Sequence, residues 1–197
     1  MFDNVYIKIA HANKVLYCVD GNWKAIQFVI SGTEFNRDMS YFVEGPRDVK
    51  TIATPSTVRH FVDSAFDYMS VRSIVLNEGL EGLGKFQDGN YRSIFCRQIQ
   101  YVALSSTLRT IRDRLFYERK ELKCVTFREG SALKKIGEEA FCGCTSLRGI
   151  SLPEGPELVG KKCFCMCGLE EIAIPNSVMT LEDDVLSYCS NLRRVMF

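Results

Sequence analysis

One six-residue pattern recurs seven times along the 197-residue chain, and it constrains the fold more than any other feature of the sequence. An apolar residue and two variable residues are followed by an aliphatic residue, a variable residue and a small or apolar residue. The copies read "VKTIAT", "VRSIVL", "IQYVAL", "LKCVTF", "LRGISL", "LEEIAI" and "LRRVMF", and they begin at Val49, Val71, Ile99, Leu122, Leu147, Leu169 and Leu192. Successive starts lie 22, 28, 23, 25, 22 and 23 residues apart. Such a period predicts a solenoid, in which each repeat forms one coil that is stable only when it is stacked on its neighbours.

A second pattern follows the first within most repeats. It places one apolar residue five positions before another, as in Phe61 and Phe66, Ile111 and Phe116, Ile136 and Phe141, Val159 and Phe164, and Leu181 and Leu186. The first pattern alternates as a short strand with one buried face does, and the prolines in "LP" and "IP" indicate where such a strand stops. The second pattern predicts a tight bend followed by about one helical turn, with the phenylalanine facing the core.

The segment "LKKIGEEAFCGCTSLRGISLPEG" resembles the repeat of the BspA-like leucine-rich repeat family. The match extends from about Val49 to Phe197, and it is closest between Leu122 and Leu192. The resemblance implies an α/β repeat fold, a right-handed leucine-rich repeat solenoid with short parallel strands on its concave face and short helical or irregular turns on the other. It also implies a protein that binds other proteins or surfaces, often in cell adhesion, and that is not an enzyme.

Residues 1–48 fit the repeat poorly, and we interpret them as a degenerate repeat and a β-rich N-terminal cap. "VYIKIA", "VLYCVD" and "WKAIQF" are predicted strands, and the last begins at Trp23, 26 residues before Val49. Residues 49–197 then form about six repeats and a final strand. Because no polar segment follows that strand, we expect the chain to be a fragment, to be capped by a partner, or to self-associate through its uncapped C-terminal coil.

Nine cysteines raise the alternative of a metal-binding or redox-sensing protein. However, Cys144, Cys167 and Cys189 share one position, three residues after Phe141, Phe164 and Leu186, where a small and readily buried side chain suits a bend. Cys142 and Cys165 directly follow the inward phenylalanines and would be neighbours on adjacent coils, so a thiol pair or zinc site is conceivable there. Neighbouring side chains of a solenoid point in parallel, which is unsuited to four converging zinc ligands, and we therefore favour structural cysteines and no cofactor.

Charge and hydropathy exclude several partner classes. The 25 basic and 24 acidic residues nearly cancel, so no global field favours nucleic acid or an anionic membrane. No apolar run has the roughly 20 residues that a membrane span needs, and the first residues lack the layout of a signal peptide. The sequence thus favours a cytoplasmic location, whereas the family resemblance favours the cell surface.

Candidate binding residues follow from the positions that must face solvent. The residue after the first apolar position is basic in most repeats, so stacking would build a mostly basic stripe beside the concave sheet. Its candidate contacts are Lys50, Arg72, Gln100, Lys123, Arg148 and Arg193. Such a stripe suits an acidic protein partner, although basic residues there could instead serve only solubility. A second candidate is the insertion in the 28-residue repeat, which contains Phe86 and Tyr91.

Overall fold

The fold was analysed in a computed structural model, in which short strands alternate with turns along the chain. It describes residues 5–10, 14–19, 22–27, 34–35, 51–54, 59–61, 66, 71–83 and 93–197. Three strands come first, namely β1 (Val5–Ala10), β2 (Lys14–Val19) and β3 (Asn22–Gln27). The remaining described strands fall into two rows, each with one strand per coil.

The first strand row coincides with the six-residue pattern. It comprises β5 (Thr51–Ala53), β7 (Ser73–Val75), β9 (Tyr101–Leu104), β11 (Cys124–Phe127), β13 (Gly149–Ser151), β15 (Glu171–Ala173) and β17 (Arg194–Met196). Neighbouring strands are parallel, and the aliphatic residues of successive repeats are in register, as Ile74 is with Val102. The predicted parallel strands are therefore confirmed.

The second strand row crosses each coil where the first residue of the five-residue pattern lies. It comprises β4 (Glu34–Phe35), β6 (His60–Phe61), β8 (Gly82–Leu83), β10 (Thr110–Ile111), β12 (Lys135–Ile136), β14 (Leu158–Val159) and β16 (Thr180–Leu181). These strands pair in parallel in two groups, β4 with β6 and β8, and β10 with β12, β14 and β16, as Ile136 does with Val159. Each coil therefore contributes one strand to each row.

The core between the rows is a ladder of phenylalanine rings. Phe66, Phe95, Phe116, Phe141 and Phe164 are fully buried, and their ring planes are within 9° of parallel. From Phe95 onwards, successive ring centroids are 4.8, 4.9 and 5.1 Å apart. The spacing matches the distance between adjacent parallel strands, so the hydrogen-bonded backbone and the stacked rings have the same repeat distance. The inward assignment of Phe66, Phe116, Phe141 and Phe164 is confirmed.

The turns that carry these rings are not helical. In the described residues no helix occurs, so the predicted helical turn is wrong there. Each turn from the third described coil onwards instead has two residues with positive φ, at Arg114 and Glu118, Glu139 and Gly143, Lys162 and Met166, and Asp184 and Tyr188. Such residues interrupt the helical conformation and direct alternate N–H groups towards the next coil. Phe116 N, for example, donates to the carbonyl oxygen of Ala140 at 2.7 Å.

The N-terminal strands extend the first row differently from the prediction. β1 pairs in parallel with β5, and β2 and β3 follow in antiparallel order. Trp23 does lie in a strand, β3, but that strand is separated from β5 by β1 and β2, so it is not the preceding coil's strand. Whether these strands act as a cap stays a prediction, and the predicted boundary between residues 48 and 49 lies outside the described residues.

A carboxylate joins three coils where the first-row strands end. Glu78 accepts hydrogen bonds from the Ser106 hydroxyl at 2.6 Å, from the Ser106 backbone N–H at 3.1 Å and from the Ser105 hydroxyl at 3.3 Å. It also forms an ion pair of 3.0 Å with Arg128. These contacts, led by the Ser106 hydroxyl, hold the pKa of Glu78 below its usual value. The network ties the coils that begin at Val71, Ile99 and Leu122.

In the last coil, positions that are buried elsewhere are accessible. Leu181 occupies the place of the fully buried Val159 and is 43% exposed. Self-association through this coil stays a prediction. None of the described residues forms a helix that is long and apolar enough to cross a bilayer.

Candidate partner-binding surface

The predicted basic stripe forms a row of residues that lies just before the first-row strands. We call Arg72, Gln100, Lys123, Arg148, Glu170 and Arg193 the edge row. Their backbones are joined between successive coils except from Lys123 to Arg148. The N–H groups of Gln100, Lys123, Glu170 and Arg193 donate to the carbonyl oxygens of Arg72, Gln100, Arg148 and Glu170, each at 2.8 Å. The structure therefore stacks the predicted candidates that it describes. Lys50, Phe86 and Tyr91 lie outside the described residues.

The edge row presents mainly positive charge to solvent. Arg72, Lys123, Arg148 and Arg193 are exposed, and Gln100 is half-buried. The single acid of the row, Glu170, lies 3.9 Å from the Arg148 guanidinium. At that distance, and with both side chains more than half exposed, the pair contributes little energy and leaves the guanidinium free to contact another group.

The first strand row is interrupted in the middle of the edge row. β11 pairs with β9, and β13 pairs with β15, but no ladder joins β11 to β13. The coils on either side remain connected by the pairing of β12 with β14 and by the stacked rings of Phe141 and Phe164. The interruption is therefore confined to the side of the coil that carries the edge row.

A local length change occurs in the same coil as the interruption. Eleven positions separate Val125 from Ile136, whereas nine separate Ile150 from Val159 and nine separate Ile172 from Leu181. The two extra residues lengthen the connection between the two strand rows in the coil of β11. The second row stays in register across these two coils, so the extra length is accommodated between β11 and β12.

A recess of about 370 Å³ opens on the outer face of the strands at this interruption. Its lining includes the small exposed residues Thr126, Gly149, Ser151 and Ala173. The other lining residues are Cys124, Val125, Phe127, Ile150, Glu171, Ile172 and Met196. A Cβ atom added to Gly149 would have no heavy atom within 4 Å. Tyr101, the exposed register partner of Cys124, lies on the same face one strand earlier.

The recess was not predicted from the sequence, although two features of the sequence are associated with it. One is the longer interval between Val125 and Ile136, and the other is the run of small residues at outward positions in the coils that follow. Neither signal alone predicts a recess, because a longer loop can also be accommodated at the surface without any change in strand pairing.

Cysteine side chains in the turns form hydrogen bonds to backbone carbonyl groups of the preceding coil. The thiols of Cys144, Cys167 and Cys189 donate hydrogen bonds to the carbonyl oxygens of Phe116, Phe141 and Phe164, at 3.2, 3.1 and 3.0 Å. Each acceptor belongs to the preceding coil. The shared sequence position therefore has a structural purpose, which is to join successive turns.

Cys142 and Cys165, the pair for which a metal site was conceivable, are buried. Burial, followed by the proximity of Cys165, raises the pKa of Cys142 to about 12. A thiol with such a pKa is protonated at neutral pH, which disfavours nucleophilic chemistry. In the part of the chain that the structure describes, no group of three or more His, Cys, Asp or Glu side chains is placed to hold a metal ion.

Comparison with known proteins relates the chain to one repeat family. A family model for the BspA type leucine-rich repeat region matches residues 39–130 and 89–193, with six copies of the repeat. No curated protein matches the chain in sequence.

Solved structures with the same fold are bacterial leucine-rich repeat proteins. A leucine-rich repeat protein of T. pallidum is 24% identical over 75% of this chain and 69% of its own, with a TM-score of 0.64. A leucine-rich repeat protein of Bacteroides ovatus is 24% identical over 83% of this chain and 48% of its own, with a TM-score of 0.52. A leucine-rich cell surface protein of Faecalibacterium prausnitzii is 14% identical over 96% of this chain and 54% of its own, with a TM-score of 0.56. The chain thus spans about half the length of the latter two, and at these identities the similarity shows the fold alone.

Proposed function

The chain belongs to the BspA-type leucine-rich repeat family, and we propose on this basis that it is a non-catalytic module that binds an acidic protein partner through its edge row. Stacked repeats provide an extended surface in which each coil presents the same outward positions. The fold does not name a partner, so the proposal depends on the side chains at those positions.

The alignment of cationic side chains in the edge row is the observation that carries the proposal. Arg72, Lys123, Arg148 and Arg193 are exposed on one side of the first strand row, against one acid, Glu170. The chain as a whole has a net charge of only +1, so the positive potential is a local property of this row. A local patch attracts an acidic partner over about a Debye length, roughly 8 to 10 Å, and orients it there.

Two finer parts of the proposal concern location and a second contact. We propose that the module acts in adhesion at a cell surface, which the fold similarity to the Faecalibacterium prausnitzii cell surface protein supports. Digestion of intact cells with added protease tests the location, because a surface-exposed module would be lost.

We also propose that Phe86 and Tyr91 add apolar contacts from the inserted segment, and serine substitutions at both would then weaken partner binding.

A salt series on charge-reversed variants tests the edge row. The partner is first captured with the wild-type chain from the native source, and its association rate is then measured with wild type and with Lys123→Glu/Arg148→Glu. We expect association of the variant to be slowed several-fold at low salt, and the difference to disappear as salt is added, since charges at the rim of an interface act mainly on encounter. Glu154→Lys, at an exposed acid outside the edge row, serves as the control. Equal rates for wild type and the reversed variant at low salt would assign the row to solubility alone.

A further inference from the structure

We propose that the recess at the strand interruption is the seat of an extended acidic peptide segment of the partner. The inference rests on the proposed function and goes beyond it, because it names the part of the surface that is occupied and the kind of segment that occupies it. The recess was not part of the predicted stripe.

The recess is accessible to the backbone of an extended peptide. Its lining comes from four successive first-row strands, β11, β13, β15 and β17, and its volume is about 370 Å³. Gly149 and Ser151 lie on β13 at its centre, and both are exposed. Because no Cβ projects from Gly149 and the space around that position is open, a peptide can approach the strand closely there.

The charges around the recess favour carboxylates in the bound segment. Lys123 and Arg148 lie on the two coils that meet at the interruption, immediately before β11 and β13. The one acid in the lining, Glu171, lies 3.5 Å from the Arg194 guanidinium, which offsets its charge. Counted in the same way, the Arg148 pair with Glu170 is neutral too, so the three cations Lys123, Arg148 and Arg194 outnumber the two acids Glu170 and Glu171 by one. This excess of one positive charge beside the recess favours an acidic segment.

The dimensions indicate how much of a partner the recess accommodates. Adjacent parallel strands are about 4.8 Å apart, so four strands span roughly 14 Å. An extended chain covers at most about 3.3 to 3.6 Å per residue, so the recess accommodates about four residues. Small or acidic side chains suit the segment, because small residues form part of the lining and Lys123 and Arg148 lie beside it.

Nucleic acid fits the recess less well than an acidic peptide. Single strands bind to proteins by stacking their bases on aromatic side chains, and the lining of the recess contains Phe127 alone, half-buried, among its aromatic residues. A polynucleotide is therefore an alternative outcome of the test rather than the proposed ligand.

The test uses the full chain, labelled with ¹⁵N, and a synthetic peptide of alternating aspartate and serine, eight residues long. We expect saturable shifts of the amide signals of Thr126, Gly149 and Ser151, and we expect 0.5 M salt to abolish them. A peptide of alternating lysine and serine should leave these signals unmoved. An absence of shifts at these three amides with the acidic peptide would overturn the proposal.

A matched pair of variants separates the recess from the edge row. Ser151→Trp fills the recess, and Ser190→Trp adds the same side chain at an exposed serine of the last turn. We expect Ser151→Trp to weaken the acidic peptide at least tenfold at an unchanged melting temperature, and Ser190→Trp to have no effect. If charge reversal at Lys123 and Arg148 weakens the captured partner but Ser151→Trp does not, the proposed function stands and the recess is not the seat. Tighter binding of an oligonucleotide than of the peptide, blocked by Ser151→Trp, would replace the peptide by nucleic acid.

Discussion

The thiol of Cys167 donates a hydrogen bond of 3.1 Å to the carbonyl oxygen of Phe141, which lies one coil earlier. The same oxygen accepts the backbone N–H of Cys144 at 3.1 Å, within its own turn. The carbonyl is therefore shared between a bond that closes one turn and a bond that joins it to the next. A side chain at this position has to be small enough for the bend, apolar enough for burial and able to donate one hydrogen bond, which cysteine satisfies.

Replacing Cys167 by alanine removes the bond between coils but leaves the Phe141 carbonyl paired within its turn. We therefore expect a modest loss of about 1–2 kcal/mol in the free energy of unfolding, measured by urea denaturation. Cys124→Ala, at a half-buried position on the outer face, serves as the control and should cost less. Chelator and reductant should leave the melting curve of the wild type unchanged, and a loss of structure with chelator would contradict the structural assignment of the cysteines.

The ring of Phe141 is stacked between Phe116, at 4.9 Å, and Phe164, at 5.1 Å. Phe141→Ala should lower the free energy of unfolding by about 3–5 kcal/mol, because it leaves a cavity between two rings. Calorimetry or urea denaturation measures the loss. Tyr188→Ala, at a residue that is 79% exposed, should change it by less than about 0.5 kcal/mol. A wild-type transition for Phe141→Ala would show that the rings do not form the core.

Met166 adopts a positive φ of 55° and is 52% exposed, so the conformation can be tested there with little interference from packing. At an ordinary position glycine is less stable than alanine by roughly 0.5–1 kcal/mol, whereas a left-handed residue costs about 1–2 kcal/mol unless it is glycine. We expect Met166→Gly to be at least as stable as Met166→Ala in urea. In the preceding coil, Gly143→Ala should be destabilising, since Gly143 has a φ of 77°. The opposite order at Met166 would indicate that the turn does not have this geometry.

The free energy of unfolding depends on pH through the carboxyl group of Glu78. Hydrogen bonds from Ser106, foremost its hydroxyl, lower the pKa of Glu78 in the folded chain, so the folded state binds this proton less readily than the unfolded state does. The stability that results is fully present above the unfolded pKa and is lost as the pH falls through the folded pKa. Urea midpoints of wild type and Glu78→Gln, measured from pH 7 to pH 3, should differ most at neutral pH and converge in acid. A difference that is independent of pH would contradict this account.

Much of the coil could be predicted from the sequence because each inward position is read from a local pattern. Val125, Ile150 and Ile172 were expected to face the core from strands, and Phe116, Phe141 and Phe164 from turns, and all are buried. Phe95 was not predicted, because the insertion before it breaks the five-residue spacing. Its place in the ring ladder follows only from stacking between Phe66 and Phe116.

The conformation of the turns was not predictable from spacing. Residues three or four positions apart meet on one face of a helix. The turns observed here bring their apolar residues to the core with two left-handed residues instead. The choice is made by the neighbouring coil, whose carbonyl groups accept the N–H groups that a helix would have used internally, as Ala140 does for Phe116. The pairing of the N-terminal strands was not predictable from spacing either. The interval from Trp23 to Val49 suggested that the strand of Trp23 pairs with β5, but β1 pairs with β5 instead.

The sequence by itself determined the repeat, the inward residues and the shared face of the edge row, because these depend on a period of about 23 residues and on alternation within each strand. Only the tertiary structure decided that the edge row is divided between Lys123 and Arg148 and that a recess opens beside the division. The division lies in the coil that has two extra residues before Ile136, and β12 and β14 keep their register across it. The physical reason is that a pattern within one coil specifies what faces inward, whereas the fit between two coils of unequal length is decided only when they stack.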